Sequence, residues 1–472
     1  MEDVKLIGLD FGTTTSSAVI ARARLLHNRV SGRVELSQIS ECFRSAIAFT
    51  PMDDDRVDET KTAMLLNSWL AQGMTAHDRI FGGGALLTGL TAQKENAAAL
   101  VSIIRERVGD AIIARADDPR LESWLAFMGN TAKLSRQHPE TPFINLDIGG
   151  GTTNLAMGIN GEVLTTGCLF IGARHVQVEP GTYRIAKLSS YARHMLEHLG
   201  IRKSRGDELT LDEMDQILGC YVNWLIAAVA GNEAAFAEPL ARLHEQAPFP
   251  ASPSFKERPV ITLSGGVGEL VYATIRGQAG PSTTAFGDLG IDLAARITRN
   301  TPWADDFRNY IPEGLGRATS FGLLRHSTQV SGSTLFLSDP SILPLRDLPI
   351  FGTIAAELPQ AQWHTIRELL KRSENGGCVQ IEMMNQDAAS VRALGTRIAE
   401  SLRSVDFSSG QPLVIIVPGN VGKALGHYIT EWGARPLKLV VIDEIAAANA
   451  QFVQIGRLHD RVVPVSFYGL QG

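Results

Sequence analysis

Short apolar runs that end in a carboxylate occur twice in this chain. Leu6-Ile7-Gly8-Leu9-Asp10 and Phe143-Ile144-Asn145-Leu146-Asp147 both read as buried strands, and each runs into a turn rich in glycine and threonine. The turns are Phe11-Gly12-Thr13-Thr14-Thr15 and Ile148-Gly149-Gly150-Gly151-Thr152-Thr153. Patterning beyond the first predicts strands over Ser16 to Ala23 and Arg33 to Ile39, joined through Val30-Ser31-Gly32. Beyond the second it predicts Leu155 to Ile159 and Glu162 to Cys168, joined by the hairpin signal Asn160-Gly161. Each turn is then the first corner of a three-stranded antiparallel meander. Helical periodicity follows both: Thr60 to Ala71 and Glu95 to Val108 in the first half, Leu188 to Leu199 and Asp212 to Ala230 in the second. The chain reads as an α/β duplication.

A third apolar run, Val260-Ile261-Thr262-Leu263, turns through Ser264-Gly265-Gly266-Val267-Gly268-Glu269 into a helix expected near Leu270. Glycines there let an adenine or ribose lie against bare backbone, with the helix N-terminus favouring phosphate. Gly82-Gly83-Gly84 suits either a strand-entry turn or a close approach of backbone to a ligand. Glu245 to Pro259, with Pro248, Pro250 and Pro253, reads as a surface loop.

The repeated turn carries the chemistry. Glycines bring main-chain N–H groups up to phosphate oxygens, and Thr hydroxyls add donors, so Gly12, Thr13, Thr14 and Thr15 are expected to grip one side of a nucleotide tail. Gly149, Gly150, Gly151, Thr152 and Thr153 are expected on the other, with Gly265, Gly266 and Val267 at the nucleoside end. A polyphosphate repels carboxylates, so Asp10 and Asp147 are expected to hold Mg2+, or water on Mg2+, and Asp147 to orient an attacking water. The expected ligands are ATP or ADP with Mg2+.

Composition narrows the partners. A chain of 472 residues accommodates two or three domains, and its net charge of −6 comes without a long basic block, which argues against nucleic acid or an anionic membrane. Charged residues follow Met1 at once and the first strand comes next, so a cytoplasmic protein is expected; the apolar stretch Leu225 to Ala230 is too short to span a bilayer. Cys42, Cys168, Cys220 and Cys378 are scattered and read as reduced structural thiols. His27, His77, His138 and His175 are isolated and carry no signal. His194 and His198, spaced by four, match His-x-x-Glu-His, but a third zinc ligand is not assignable and a solvated helix face explains them better. Val417-Pro418-Gly419-Asn420-Val421-Gly422-Lys423-Ala424 imitates a P-loop. It lacks the first glycine and the closing Ser or Thr, and reads as a strand-to-helix turn.

Asp10, Gly12, Thr13 and Thr14, then Asp147 with Gly149 to Thr153, then Ser264 to Val267 resemble the two phosphate motifs and the adenosine motif of the actin, Hsp70 and sugar-kinase superfamily. That resemblance implies two ribonuclease-H-like lobes around a nucleotide cleft. A narrower resemblance covers nearly the whole chain. Leu87-Thr88-Gly89 with Lys94, Glu95 and Asn96, Thr166-Gly167-Cys168-Leu169, Ile171-Gly172 with Arg174, Phe286-Gly287-Asp288-Leu289-Gly290, Val330-Ser331-Gly332-Ser333-Thr334, and Ile455-Gly456-Arg457 with Arg461 to Val465 are similar to the EutA family. It implies an ATP- and Mg2+-dependent chaperone that releases damaged cobalamin from adenosylcobalamin-dependent ethanolamine ammonia-lyase, its partner. A homodimer and association with an ethanolamine-utilisation microcompartment are compatible with it. The expected domains are 1–140 and 141–318, the two lobes, and 319–472, an additional C-terminal α/β module suited to binding the target. Leu90 stands where the resemblance leads one to expect an acid, which points to slow hydrolysis, and Ala173 interrupts a Gly-Gly before Arg174. The competing readings are a small-molecule kinase, for which no general base is identifiable, and an actin-class filament protein, for which no amphipathic tether is visible.

Overall fold

The computed structural model describes residues 2–470 except 13–14, 28–33, 47, 54–55, 76–77, 89–93, 110–111, 116–118, 251–256, 327, 356–364, 367, 371, 374, 383–384 and 404–410. Three sheets organise it. In the first, Glu2–Phe11 pairs antiparallel with Thr15–His27, which pairs antiparallel with Val34–Arg44. On its free side Glu2–Phe11 runs parallel to Ile80–Leu87, and that strand to Ile112–Arg115. The second sheet repeats the plan: Phe143–Ile148 pairs antiparallel with Thr153–Ile159, then Glu162–Leu169, and takes Val260–Ser264 as its parallel partner. A meander whose first strand gains a parallel neighbour is the ribonuclease-H-like order, and both lobes have it.

Burial explains the order. Every residue of Phe143–Ile148 is buried, as a central strand covered on both faces requires, whereas the edge strand Val34–Arg44 keeps one face to solvent. Helices Glu59–Gly73 and Lys94–Val108 cover the first sheet through Leu66, Trp69, Leu100 and Ile104, packed on Ile7, Leu9 and Phe11. Leu211–Val229, Gly265–Ile275 and Gly290–Asn300 cover the second through Leu225, Val271 and Leu293.

Two helices cross between the lobes. Pro119–Asn130 lies on the second sheet, held by a buried network in which Asn130 Nδ2 donates to Asn145 Oδ1 at 2.8 Å and Asn145 Nδ2 to Ser264 Oγ at 2.9 Å. Ala318–His326, in which the expected boundary at residue 319 falls, lies on the first sheet, with Phe321 and Leu324 packed on Val4, Leu6 and Val19. They meet at glycines. A Cβ on Gly129 would fall 1.8 Å from the Ala318 carbonyl oxygen, and one on Gly322 would fall 2.2 Å from that of Leu125.

The third sheet has a parallel centre of Leu345–Ala355, Gly377–Glu382, Leu413–Ile416 and Leu439–Ile442, with antiparallel strands on both sides. Helices Ala388–Leu402 and Gly422–Ile429 pack on it. This C-terminal module docks on the first lobe. The Gly83 N–H donates to Thr328 Oγ1 at 2.9 Å, Val462 joins the first lobe's core, and Phe81 meets the His459 ring edge to face at 5.6 Å.

Several expectations change. The first lobe's second and third strands are longer than the pattern predicted, and the helix expected near Leu270 begins at Gly265. Leu188 ends a short strand, Ile185–Leu188, and the helix is Ser190–His198. Glu245–Ala247, expected as loop, adds a strand outside Glu162–Leu169. Gly82-Gly83-Gly84 is neither a turn nor a ligand surface. It sits inside Ile80–Leu87, where a Cβ on Gly83 would collide with the Ile7 carbonyl at 1.9 Å and one on Gly82 would meet Thr328 at 2.7 Å. Among the described residues no helix is long and apolar enough to cross a membrane.

Candidate nucleotide site

The two glycine turns have the same internal hydrogen bond. The Gly12 N–H donates to the Thr15 carbonyl and the Gly149 N–H to that of Thr152, both at 2.9 Å, and Asp10 and Asp147 each stand two residues earlier. In the first lobe the turn is pinned from outside, because Thr50 Oγ1 donates to the Gly12 carbonyl at 2.6 Å and the Thr88 N–H to that of Phe11 at 3.0 Å.

The second turn is pinned at three consecutive carbonyls. The Ala173 N–H donates to Gly149 O at 3.0 Å, the Arg174 N–H to Gly150 O at 2.7 Å, and His175 Nε2 lies 2.8 Å from Gly151 O. A carbonyl only accepts, so Nε2 carries the proton and Nδ1 accepts from the Ser189 hydroxyl at 2.9 Å. Ser189 Oγ in turn accepts from the Ala192 N–H and caps helix Ser190–His198. With the glycine carbonyls drawn away, the N–H groups of Gly150 and Gly151 have no main-chain acceptor among the described residues. Such a run of bare N–H groups suits an anion.

Three carboxylates share one field. Burial, and then the negative charge of Asp147, push Asp10 up to about 7. Burial pushes Asp147 up to about 6 against a hydrogen bond from Ser264. Glu122, in the first turn of the crossing helix Pro119–Asn130, is raised well above the usual carboxylate range by burial, then by Asp10 and Asp147, against a hydrogen bond from Asn154. Asp10, from the first lobe, and Asp147, from the second, thus both oppose the ionisation of Glu122 on the helix between them. Acids that oppose one another's ionisation in a desolvated setting form a donor set suited to a hard divalent cation. Among the described residues no three Asp, Glu, His or Cys side chains close into a complete metal site. Mg2+ is commonly held by one or two carboxylates, with phosphate oxygens and water completing its shell.

The other expected residues fall as follows. Gly265 has φ +76°, and a Cβ on it would lie 2.5 Å from the Ile148 carbonyl oxygen, so glycine is required where the third motif meets the second turn. A Cβ on Gly266 would meet nothing within 4 Å, leaving bare backbone open. Val267 is different: its side chain is buried in the second lobe's core, and only its main chain can face a nucleoside. Thr153 is also spent elsewhere, its hydroxyl donating to Ile171 O at 2.8 Å. Thr15 is exposed beside Phe49, Thr152 is half-buried, and Thr13, Thr14 and Leu90 lie outside the described residues. Ala173 fits because Gly290 faces it; a Cβ there would be 3.1 Å from that of Ala173. The guanidinium of Arg174 lies 5.6 Å from the ring centroid of Phe49, joining second lobe to first.

Two residues of the site were not read from the sequence. His175, set aside as isolated, is buried and holds the second turn. Glu122 looks in the sequence like any acid in a helix's first turn, and no spacing distinguishes it. His194 and His198 stay on the exposed helix, His194 Nδ1 lying 2.8 Å from Ser190 O. The four cysteines are free thiols.

The chain is similar over nearly its whole length to known proteins. A family model described as ethanolamine utilisation protein EutA matches residues 2–470. A Salmonella typhimurium protein named ethanolamine ammonia-lyase reactivase EutA is 27% identical, over 98% of this chain and 97% of that one. Its Escherichia coli namesake is 26% identical, over the same shares. Among solved structures, MreB 5 of Spiroplasma citri bound to AMPPNP is similar at a TM-score of 0.30 and 17% identity, over 65% of this chain and 98% of that one.

Proposed function

This chain belongs to the EutA family, and from that premise we propose that it is an ATP-dependent reactivating chaperone for ethanolamine ammonia-lyase. It binds the inactivated enzyme, opens it so that damaged cobalamin leaves, and lets intact adenosylcobalamin enter. A small-molecule kinase is not favoured, since the curated relatives that match over nearly their whole length are named as reactivases. The observation that carries the mechanistic part is the shared field of Asp10, Glu122 and Asp147 beneath two identically closed glycine turns.

In this reading the N–H groups of Gly150 and Gly151 and the turn at Gly12 bind the phosphates, and the bare backbone at Gly265 and Gly266 carries the nucleoside. Asp10 and Asp147 would hold Mg2+, which when bound neutralises charge on the phosphates. Glu122, once ionised, accepts a proton from the attacking water, and Asp147 helps to orient that water. Nucleotide state then sets how the lobes close, and a target that binds one closure better than the other is driven between conformations. The C-terminal module is the proposed grip on that target.

The test is direct. Ethanolamine ammonia-lyase inhibited with cyanocobalamin is mixed with this protein, ATP, Mg2+ and fresh adenosylcobalamin. Restored deamination that depends on ATP is expected. No recovery, with ATP turnover intact, overturns the assignment.

A further inference from the structure

A second group of acceptor oxygens lies in the C-terminal module, away from the cleft. Asp443 and Glu444 follow strand Leu439–Ile442, Asn420 lies between strand Leu413–Ile416 and helix Gly422–Ile429, and Thr334 follows Gln329–Val330. The carboxyl ends of parallel strands are where open α/β sheets take ligands. This is also where the false P-loop and the Val330-Ser331-Gly332-Ser333-Thr334 motif come together.

Asn420 Nδ2 donates to Glu444 Oε1 at 3.4 Å, but around Asp443 the acceptors outnumber the donors among the described residues. Asp443 is fully buried; its Oδ2 accepts from the Gly422 N–H at 3.2 Å and also faces Thr334 Oγ1. Thr334 Oγ1 lies 2.5 Å from Asn420 Oδ1 as well. A hydroxyl has one proton, so it satisfies one of these two acceptors and leaves the other facing bare oxygen. Asp443 Oδ1 has no hydrogen-bond partner among the described residues. It points to the empty side of Gly332, where a Cβ would lie 2.5 Å from Asp443 Oδ1 and 2.6 Å from Glu444 Oε2. Among the described residues no basic side chain contributes to the surroundings of Asp443. A buried carboxylate in that state lacks a positive partner.

We propose that Asp443, Glu444, Asn420 and Thr334 bind a hard divalent cation of the Mg2+ or Ca2+ class, with Gly332 leaving the room for it. Two carboxylates with amide and hydroxyl oxygens form the oxygen-only set such ions select. The ion accepts lone pairs from the oxygens that one hydroxyl proton cannot serve. Glu444 also lines a cavity of about 300 Å3 walled by Val34, Leu36 and Ile39 of the first lobe and by Val330 and Ile445. That cavity gives the ion an entry path and sets it at the seam between module and first lobe. The rival explanation is a proton on Asp443, which satisfies Thr334 and binds no ion.

The experiment uses the full chain carrying Asp10→Asn, Glu122→Gln and Asp147→Asn, without nucleotide, so that the three cleft carboxylates do not contribute. Tb3+ luminescence is expected to saturate at a single site, to be displaced by Ca2+ or Mg2+, and to be accompanied by a cation-dependent rise in Tm. In the same background Asp443→Asn weakens Tb3+ binding by at least about tenfold, and Glu444→Gln, at a half-buried position, weakens it too. No Tb3+ binding, or binding untouched by these substitutions, overturns the proposal in favour of the protonated acid. Should Asp443→Asn not fold, Glu444→Gln alone decides.

Discussion

His175 Nε2 donates to the carbonyl oxygen of Gly151, 2.8 Å away, and so ties a buried imidazole to the second glycine turn. Burial lowers the His175 pKa to about 4, with the nearby His244 adding to the shift and the bond to Gly151 opposing it. The folded state therefore favours the neutral ring. Its stabilising effect is complete above the unfolded value near 6.5 and is lost as pH falls toward 4. That window is worth on the order of 3 kcal/mol. Urea unfolding at pH 7.5 and at pH 4.5 should show the loss in the parent and a much smaller one in His175→Gln. An unchanged pH slope in the variant removes His175 as the cause.

Glu122→Gln keeps the shape and hydrogen bonding of the side chain but cannot take a proton. Phosphate release should fall by about a hundredfold or more, while nucleotide affinity stays within a few-fold. Parallel turnover and binding measurements check this. A comparable loss in both would make Glu122 a binding group.

Asp10→Asn and Asp147→Asn should separate stability from function. Each removes a carboxylate that the unliganded cleft disfavours, so the Tm without ligand should stay level or rise by about 1–2 °C. The further rise on adding Mg2+ and ATP should disappear, and turnover should drop by several orders of magnitude. Thermal scans with and without ligand give both readouts.

Truncation should distinguish the module from the core. A chain ending at residue 326 keeps helix Ala318–His326 on the first sheet and is expected to bind nucleotide without reactivating the target. A chain ending at residue 317 exposes Val4, Leu6 and Val19 and should lose both. Equal nucleotide binding by the two truncations would show that the helix is dispensable to the cleft.

Much of this was legible in the chain, for a physical reason. Asp10 and Asp147 stand at the same place in the same strand-to-turn unit, and duplication makes a weak local pattern specific. The meanders followed from period-two patterning and the Asn160-Gly161 turn. Illegible were contacts made by residues far apart in sequence. Nothing near Gly82 to Gly84 announces that Thr328, 245 residues away, needs the space and the N–H of Gly83. Nor does the sequence near His175 reveal that its neighbour in space is Gly151, or the residues around Glu122 that two aspartates from different lobes oppose its ionisation. Val267 and Thr153 err the other way: a motif names positions, and which atoms of a position face a ligand depends on the side of the strand or helix it occupies.

The docking of the C-terminal module on the first lobe, through Thr328 and Val462, means that the two would move as one body. A body fastened to one jaw of a clamp travels with that jaw. In the proposed cycle the close contact at Gly129 and Gly322 would serve as the pivot, and a target held by the module would be swept past the opposite jaw, farthest at the point most distant from that pivot. On that reading a small rotation at the nucleotide would become a large displacement at the cargo.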